Sequence, residues 1–467
     1  IKFIEMKKLS FQICILLIIV NVSLSQAPDL VIELFRHGAR APTSNTYDKT
    51  WKSSETGELT ALGMRMHYLL GKAVRYEYTQ KYGPDFLPTT YNSSLIYARS
   101  TDLNRTIMSA YAHLYGLFEG DGLNLTSHVS TELTKPPFNK KLVDDITKSL
   151  DSYTAVPYNV LPVPVHVVPY ASDSVLAADA NCNNRKKWES DNQNTAEFQK
   201  MWNSFQSTIE DINSRNFSIT DWNTMHKFCD TVICNYYQNK PLPGGIIPNS
   251  SLFHNITFMF SWFIAYTSSA QPIQTQTLPV GLYNYLLDQI TMVKNGSSQI
   301  KLMVLSAGDT TLMSFLTPFK VVTPQCLYQN YLSMNEKGEL IDKTCVYPWF
   351  GSNIKIEFYN TETPYLLFYY NDNPIKICGN SYECTYTQFS QLIHTVTNGN
   401  TMKEYNQNCQ NNPSPSSTIF TNIFILNLIL FGLLITVIFG LVKSLRKPKK
   451  KDIDTEIYST SSIAYIN

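Results

Sequence analysis

Charge is scarce in this chain. Only 16% of its 467 residues are Asp, Glu, Lys or Arg, and the formal net charge is +1. No strong basic field is available to gather nucleic acid. Residues 1–26 carry +2 and the residues after 442 carry +3, which leaves a mildly acidic body of about −4. No C-x-x-C pair occurs, so the usual spacing of a zinc site is missing. Internal repeats are absent too, which argues against a repeat array. With 43% hydrophobic residues, little of the length has the composition of a disordered chain. The length suits one large domain or two modest ones.

Long apolar runs are also few. Near the start, Met6-Lys7-Lys8 precedes the apolar stretch from Phe11 to Val20, and Ser23 and Ser25 supply small residues for cleavage near Gln26. This pattern predicts a secretory signal over residues 1–26, with 1–5 upstream of the first methionine. The second run, Ile419 to Val442, is 24 residues long and uncharged. That length suits one transmembrane helix, and the basic cluster from Lys443 to Lys451 predicts a cytoplasmic C-terminus. The resulting expectation is a type I membrane protein of the secretory pathway, in the lysosome or at the cell surface. It has a lumenal or extracellular body over 27–410, a linker at 411–418, a single helix at 419–442 and a tail at 443–467. Outside the signal, eight cysteines form an even set, as expected of four disulfides in an exported chain. N-x-[ST] sequons at Asn92, Asn104, Asn124, Asn216, Asn249, Asn255 and Asn295 fit a glycosylated body.

The patterning predicts an α/β fold with a mostly parallel open sheet and flanking helices. Leu30–Phe35, Leu95–Ala98 and Lys301–Leu305 read as buried strands. Each is followed by polar residues: Arg36-His37-Gly38 with Arg40, then Arg99-Ser100-Thr101-Asp102, then Gly308-Asp309. In such sheets the ligand crevice lies beyond the carboxyl ends of the strands, so these clusters are expected to converge. Residues 58–80 and 103–118 read as helices. The stretch from roughly 130 to 260 reads as an inserted, mainly helical cap.

Arg36, Arg40 and Arg99 are guanidinium forks that match a phosphate group. His37 offers an imidazole nitrogen for nucleophilic attack. Asp309 is a carboxyl placed to protonate a leaving oxygen.

The stretch Arg36-His37-Gly38-Ala39-Arg40-Ala41-Pro42 resembles the RHGxRxP signature of the histidine acid phosphatases. Gly57-Glu58-Leu59-Thr60-Ala61-Leu62-Gly63-Met64 is similar to the segment that opens that family's first helix. Arg99 to Thr106 resembles its R-S-T-D-x-x-R-T segment. Ser306-Ala307-Gly308-Asp309-Thr310-Thr311 stands where the family has S-A-H-D-T-T. The resemblance covers about residues 28–410. It implies the histidine phosphatase fold and hydrolysis of small phosphomonoesters in acid through a phosphohistidine on His37. It implies a phosphate clamp of Arg36, Arg40 and Arg99, with Asp309 as general acid. No cofactor or metal is implied, and a homodimer is the implied assembly.

Gly308 departs from the pattern, standing where the family has a histidine that donates to phosphate. Losing one charge-assisted hydrogen bond costs about 1.5–3 kcal/mol. A weakened enzyme, compensation by another donor in the cap, and an inactive membrane-tethered homologue that binds a phosphorylated ligand all remain open. For the cysteines, the resemblance implies Cys182–Cys409 and Cys378–Cys384. Ser352 stands where the family has a further cysteine, and Cys229–Cys234 and Cys326–Cys345 are the expected remaining pairs.

Overall fold

Leu30–Phe35 is an apolar run interrupted at Glu33, and with Arg36 it forms strand β1, buried along its whole length. Its alternation serves two cores. Leu30, Ile32 and Leu34 face one hydrophobic cluster and Val31 and Phe35 face the other. The structure is a computed structural model that describes residues 26–410, apart from residue 121 and most of 126–153.

From β1 the chain passes through helix α1 (Ala61–Tyr82), strand β2 (Ile96–Thr101) and helix α2 (Asn104–Leu117). Strand β3 (His166–Val168) follows, and later β4 (Leu302–Ala307). Four more strands complete the sheet: β5 (Asn353–Tyr359), β6 (Tyr365–Tyr370), β7 (Asn373–Ile375) and β8 (Cys384–Thr385). The order is β3-β2-β4-β1-β5-β6-β7, with β8 beside β6. Pairings among β1 to β4 are parallel, whereas those that bring in β5 to β8 are antiparallel. The sheet is therefore mixed and not mostly parallel. Tight connections after residue 353 let consecutive strands pair directly, where a parallel neighbour needs a helical crossover.

The expected cap over 130–260 also changes. His166–Val168 belongs to the sheet edge, because β3 pairs with β2. The helical part includes α3 (Trp222–Tyr237), opened by a capping box at Asp221, and α4 (Ser251–Ser269), opened by Ser250. Helix α5 (Asp309–Leu316) then follows β4 directly.

The transmembrane expectation is corrected here. Among the described residues no helix is long and apolar enough to cross a membrane. Residues 419–442, like the linker, the tail and residues 1–25 of the signal, lie outside the described residues.

Disulfides join Cys182 to Cys409, Cys326 to Cys345 and Cys378 to Cys384. Cys229 and Cys234 are not bonded; both are buried free thiols. They sit five residues apart on α3, which turns their side chains about 140° from each other. Cys229 Sγ faces the Ile256 carbonyl while Cys234 Sγ faces Arg40. Of the sequon asparagines, Asn92, Asn104, Asn124, Asn216, Asn249 and Asn295 are exposed. Asn255 is half-buried, donating to Thr208 Oγ1 and accepting from Tyr331, so its amide is engaged between helices and not open at the surface.

Candidate active site

The loop leaving β1 turns its polar residues inward. Arg36, His37 and Arg40 are all buried. They line a pocket of about 140 Å³ with Arg105, Tyr170, Asp179, Gly308 and Asp309, among others. Both α2 and α5 begin at this pocket, and neither carries a side-chain cap. Their first N–H groups and the positive ends of their dipoles favour an anion there.

The hydrogen bonds of His37 define its state. Nδ1 lies 2.9 Å from the Gly38 carbonyl, which can only accept, so Nδ1 carries the proton. Arg105 Nε donates to Nε2 at 3.2 Å, so Nε2 holds the lone pair. Burial first, then the Arg36, Arg105 and Arg40 charges, hold this imidazole well below its usual pKa. These causes favour the neutral ring. The Phe350 ring closes one side, 5.7 Å from the His37 ring and 4.5 Å from the Arg36 guanidinium.

Each arginine is held by named partners. Arg36 donates to the Pro348 carbonyl at 2.8 Å and pairs with Asp309 Oδ2 at 2.8 Å. Arg40 pairs with Asp230, Nη2 to Oδ1 at 2.9 Å and Nη1 to Oδ2 at 3.3 Å. Asp230 also accepts from the Thr43 N–H and hydroxyl. Burial raises the Asp230 carboxyl, but Arg40 and these donors outweigh it and bring it down to about 2. Among the described residues, the buried Nε atoms of Arg36 and Arg40 have no hydrogen-bond partner.

Asp309 opens α5, where Tyr347 donates to Oδ2 at 2.8 Å and the Thr310 N–H donates to Oδ1 at 2.9 Å. Burial pushes its carboxyl up, but Arg36, the Tyr347 hydroxyl, Arg40 and Thr310 together hold it below the usual carboxylate range. Gly308 caps the helix with φ −99° and ψ 173°, an ordinary backbone for any residue.

Arg99 does not line the pocket. Its guanidinium pairs with the buried Asp173 at 2.7 Å and lies over the Tyr285 ring. Strand β2 runs on to Thr101, so Arg99 lies within the strand and not beyond its end. Arg105, in the first turn of α2, takes the pocket position instead. The signal for it was present in the sequence, as the second arginine of the Arg99–Thr106 segment.

The arrangement can hold an oxyanion among three guanidinium groups, beside an imidazole whose Nε2 lone pair accepts from Arg105. Among the described residues, no group of three or more His, Cys, Asp or Glu is placed to hold a metal ion.

The family model of the histidine phosphatase superfamily (branch 2) matches residues 29–371. Lysosomal acid phosphatase of Homo sapiens is 26% identical over 426 residues, covering 87% of this chain and 86% of the relative. Prostatic acid phosphatase of Bos taurus is 24% identical over 371 residues, covering 78% and 84%. Among solved structures, the phytase of Klebsiella sp. ASR1 superposes with a TM-score of 0.53 at 14% identity, over 80% of this chain and 96% of that one. This last likeness is one of fold.

Proposed function

Because the chain belongs to branch 2 of the histidine phosphatase superfamily, we propose that it is an acid phosphatase that hydrolyses phosphate monoesters through a phosphohistidine on His37. The carrying observation is the His37 tautomer: Nδ1 is tied to the Gly38 carbonyl, and the Nε2 lone pair sits at the arginine-lined pocket, where it accepts from Arg105.

The phosphoryl oxygens are held by Arg36, Arg40 and Arg105, whose charge balances the anion as it is transferred. His37 Nε2 attacks phosphorus, the ester P–O bond breaks, and Asp309 gives a proton to the departing alkoxide. Water then attacks the phosphohistidine, returns a proton to Asp309 and releases inorganic phosphate. Asp309 is ionised at rest because Arg36 and its other partners hold its carboxyl low. A bound phosphate shares those cations and lets the carboxyl rise, and a substrate monoanion brings the proton with it. Both effects favour turnover in acid.

Gly308 is proposed to weaken the reaction, since the resemblance has a donating histidine at this position. The three disulfides require an oxidising compartment. With the similarity to lysosomal and prostatic acid phosphatases, they support a lumenal or secreted body.

The test is to trap the intermediate. Turnover of a radiolabelled aryl phosphate, quenched in alkali and mapped by peptide, should put label on His37 and none on a His37→Ala chain. Label on another residue, or undiminished turnover by His37→Ala, overturns the reading.

A further inference from the structure

Thr101, Thr106, Thr310 and Thr311 all line the anion pocket. Three of their hydroxyls are committed within the protein. Thr101 Oγ1 donates to Thr106 Oγ1, Thr106 Oγ1 bonds to the carbonyls of Thr101 and Leu103, and Thr311 Oγ1 donates to the Leu176 carbonyl. Thr310 differs. Its N–H donates to Asp309 Oδ1 and its carbonyl accepts from Ser314, but among the described residues its hydroxyl has no hydrogen-bond partner.

The position of that hydroxyl matters. A Cβ built on Gly308 would lie 3.7 Å from Thr310 Oγ1 and, apart from its chain neighbours, would meet no other heavy atom within 4 Å. The uncommitted donor therefore borders the space that a side chain at 308 would fill, inside the pocket that holds His37 and the arginines. An uncommitted hydroxyl at an anion site gains more from donating to the anion than from donating to water.

We infer that the Thr310 hydroxyl donates a hydrogen bond to the transferred phosphoryl group in this chain, in the role left open by glycine at 308. This makes Thr310 a catalytic residue, and the inference rests on the phosphomonoester reading above. A hydroxyl is a neutral donor and donates at any pH in the working range. An imidazole at 308 donates best as a cation and loses that advantage as pH rises through its pKa.

The experiment uses Thr310→Val and Thr310→Ser, each made in the natural chain and in a Gly308→His chain, with melting curves to verify folding. Activity is read as kcat/KM on 4-nitrophenyl phosphate across pH, and binding as the calorimetric Kd of inorganic phosphate. In the natural chain Thr310→Val should lower kcat/KM by about 10- to 100-fold and weaken phosphate binding, while Thr310→Ser stays within about threefold. In the Gly308→His chain the valine change should cost under about threefold, and the pH profile should gain an alkaline limb that Gly308 lacks. Equal losses in both chains, or equal losses for Val and Ser, overturn the assignment in favour of a role in helix packing. If neither chain turns over any ester, the phosphatase reading fails separately. The phosphate Kd still decides Thr310: no change with valine in the natural chain overturns the assignment.

Discussion

Two glycines follow neighbouring strands of the same sheet, and they differ in why they are there. Gly38 comes after β1, and a Cβ on it would lie 2.3 Å from the Gly63 carbonyl oxygen at the start of α1. Gly308 comes after β4, and a Cβ on it would sit at ordinary contact distance, 3.7 Å from one flexible hydroxyl. The β1 corner is closed: the Gly38 N–H donates to Ser109, Arg40 is paired with Asp230, and His37 is bonded at both nitrogens. The β4 corner is open beside its carboxylate. One glycine is demanded by packing and the other is not, so only the second position is free to vary without disturbing the fold.

The comparison breaks most visibly at the anchor of the closed corner. Asp230→Asn leaves the Arg40 charge buried without its partner and should cost about 3–5 kcal/mol in chemical denaturation. It should also alter the acid limb of stability. The folded Asp230 pKa of about 2 lies below its ordinary 3.8. Its contribution is therefore full above about pH 4 and is lost as pH falls toward 2. An unchanged midpoint in the variant would mean that Arg40 does not depend on this pair. Next in size, Gly38→Ala forces a methyl against backbone and should cost about 3 kcal/mol, read as a fall in Tm. A variant as stable as the parent would show that the corner is looser than the contact implies.

Gly308→His should leave Tm nearly unchanged and raise kcat/KM by about 10- to 100-fold, the value of one charge-assisted hydrogen bond. A loss of activity would mean that the open space serves the substrate instead. The smallest effect is Gly308→Ala, which should stabilise by about 0.4–1 kcal/mol because its backbone suits any residue. A destabilisation comparable to that of Gly38→Ala would erase the distinction between the two glycines.

Much of the site was legible because it lies where strands end. The run from Leu30 to Phe35 is short, apolar and rich in strand formers, so it reads as a buried strand with Arg36 and His37 emerging at its carboxyl end. The same logic found Asp309. It failed at Arg99, because alternation through Tyr97 and Ala98 gave no sign that β2 continues to Thr101. That shift of three residues exchanged Arg99 for Arg105. The antiparallel half of the sheet was hidden for a related reason: strand-forming composition does not encode the direction of pairing. The thiols of Cys229 and Cys234 are close in sequence, but helical geometry turns them apart.

The Cys182–Cys409 bond spans 227 positions of sequence and so turns more than half of the described chain into a closed ring. A protease that cuts inside the ring opens it without releasing a piece. The two pieces would part only once the sulfurs are reduced. A cut between His37 and Cys182, by contrast, breaks the covalent link between His37 and the residues that the ring retains.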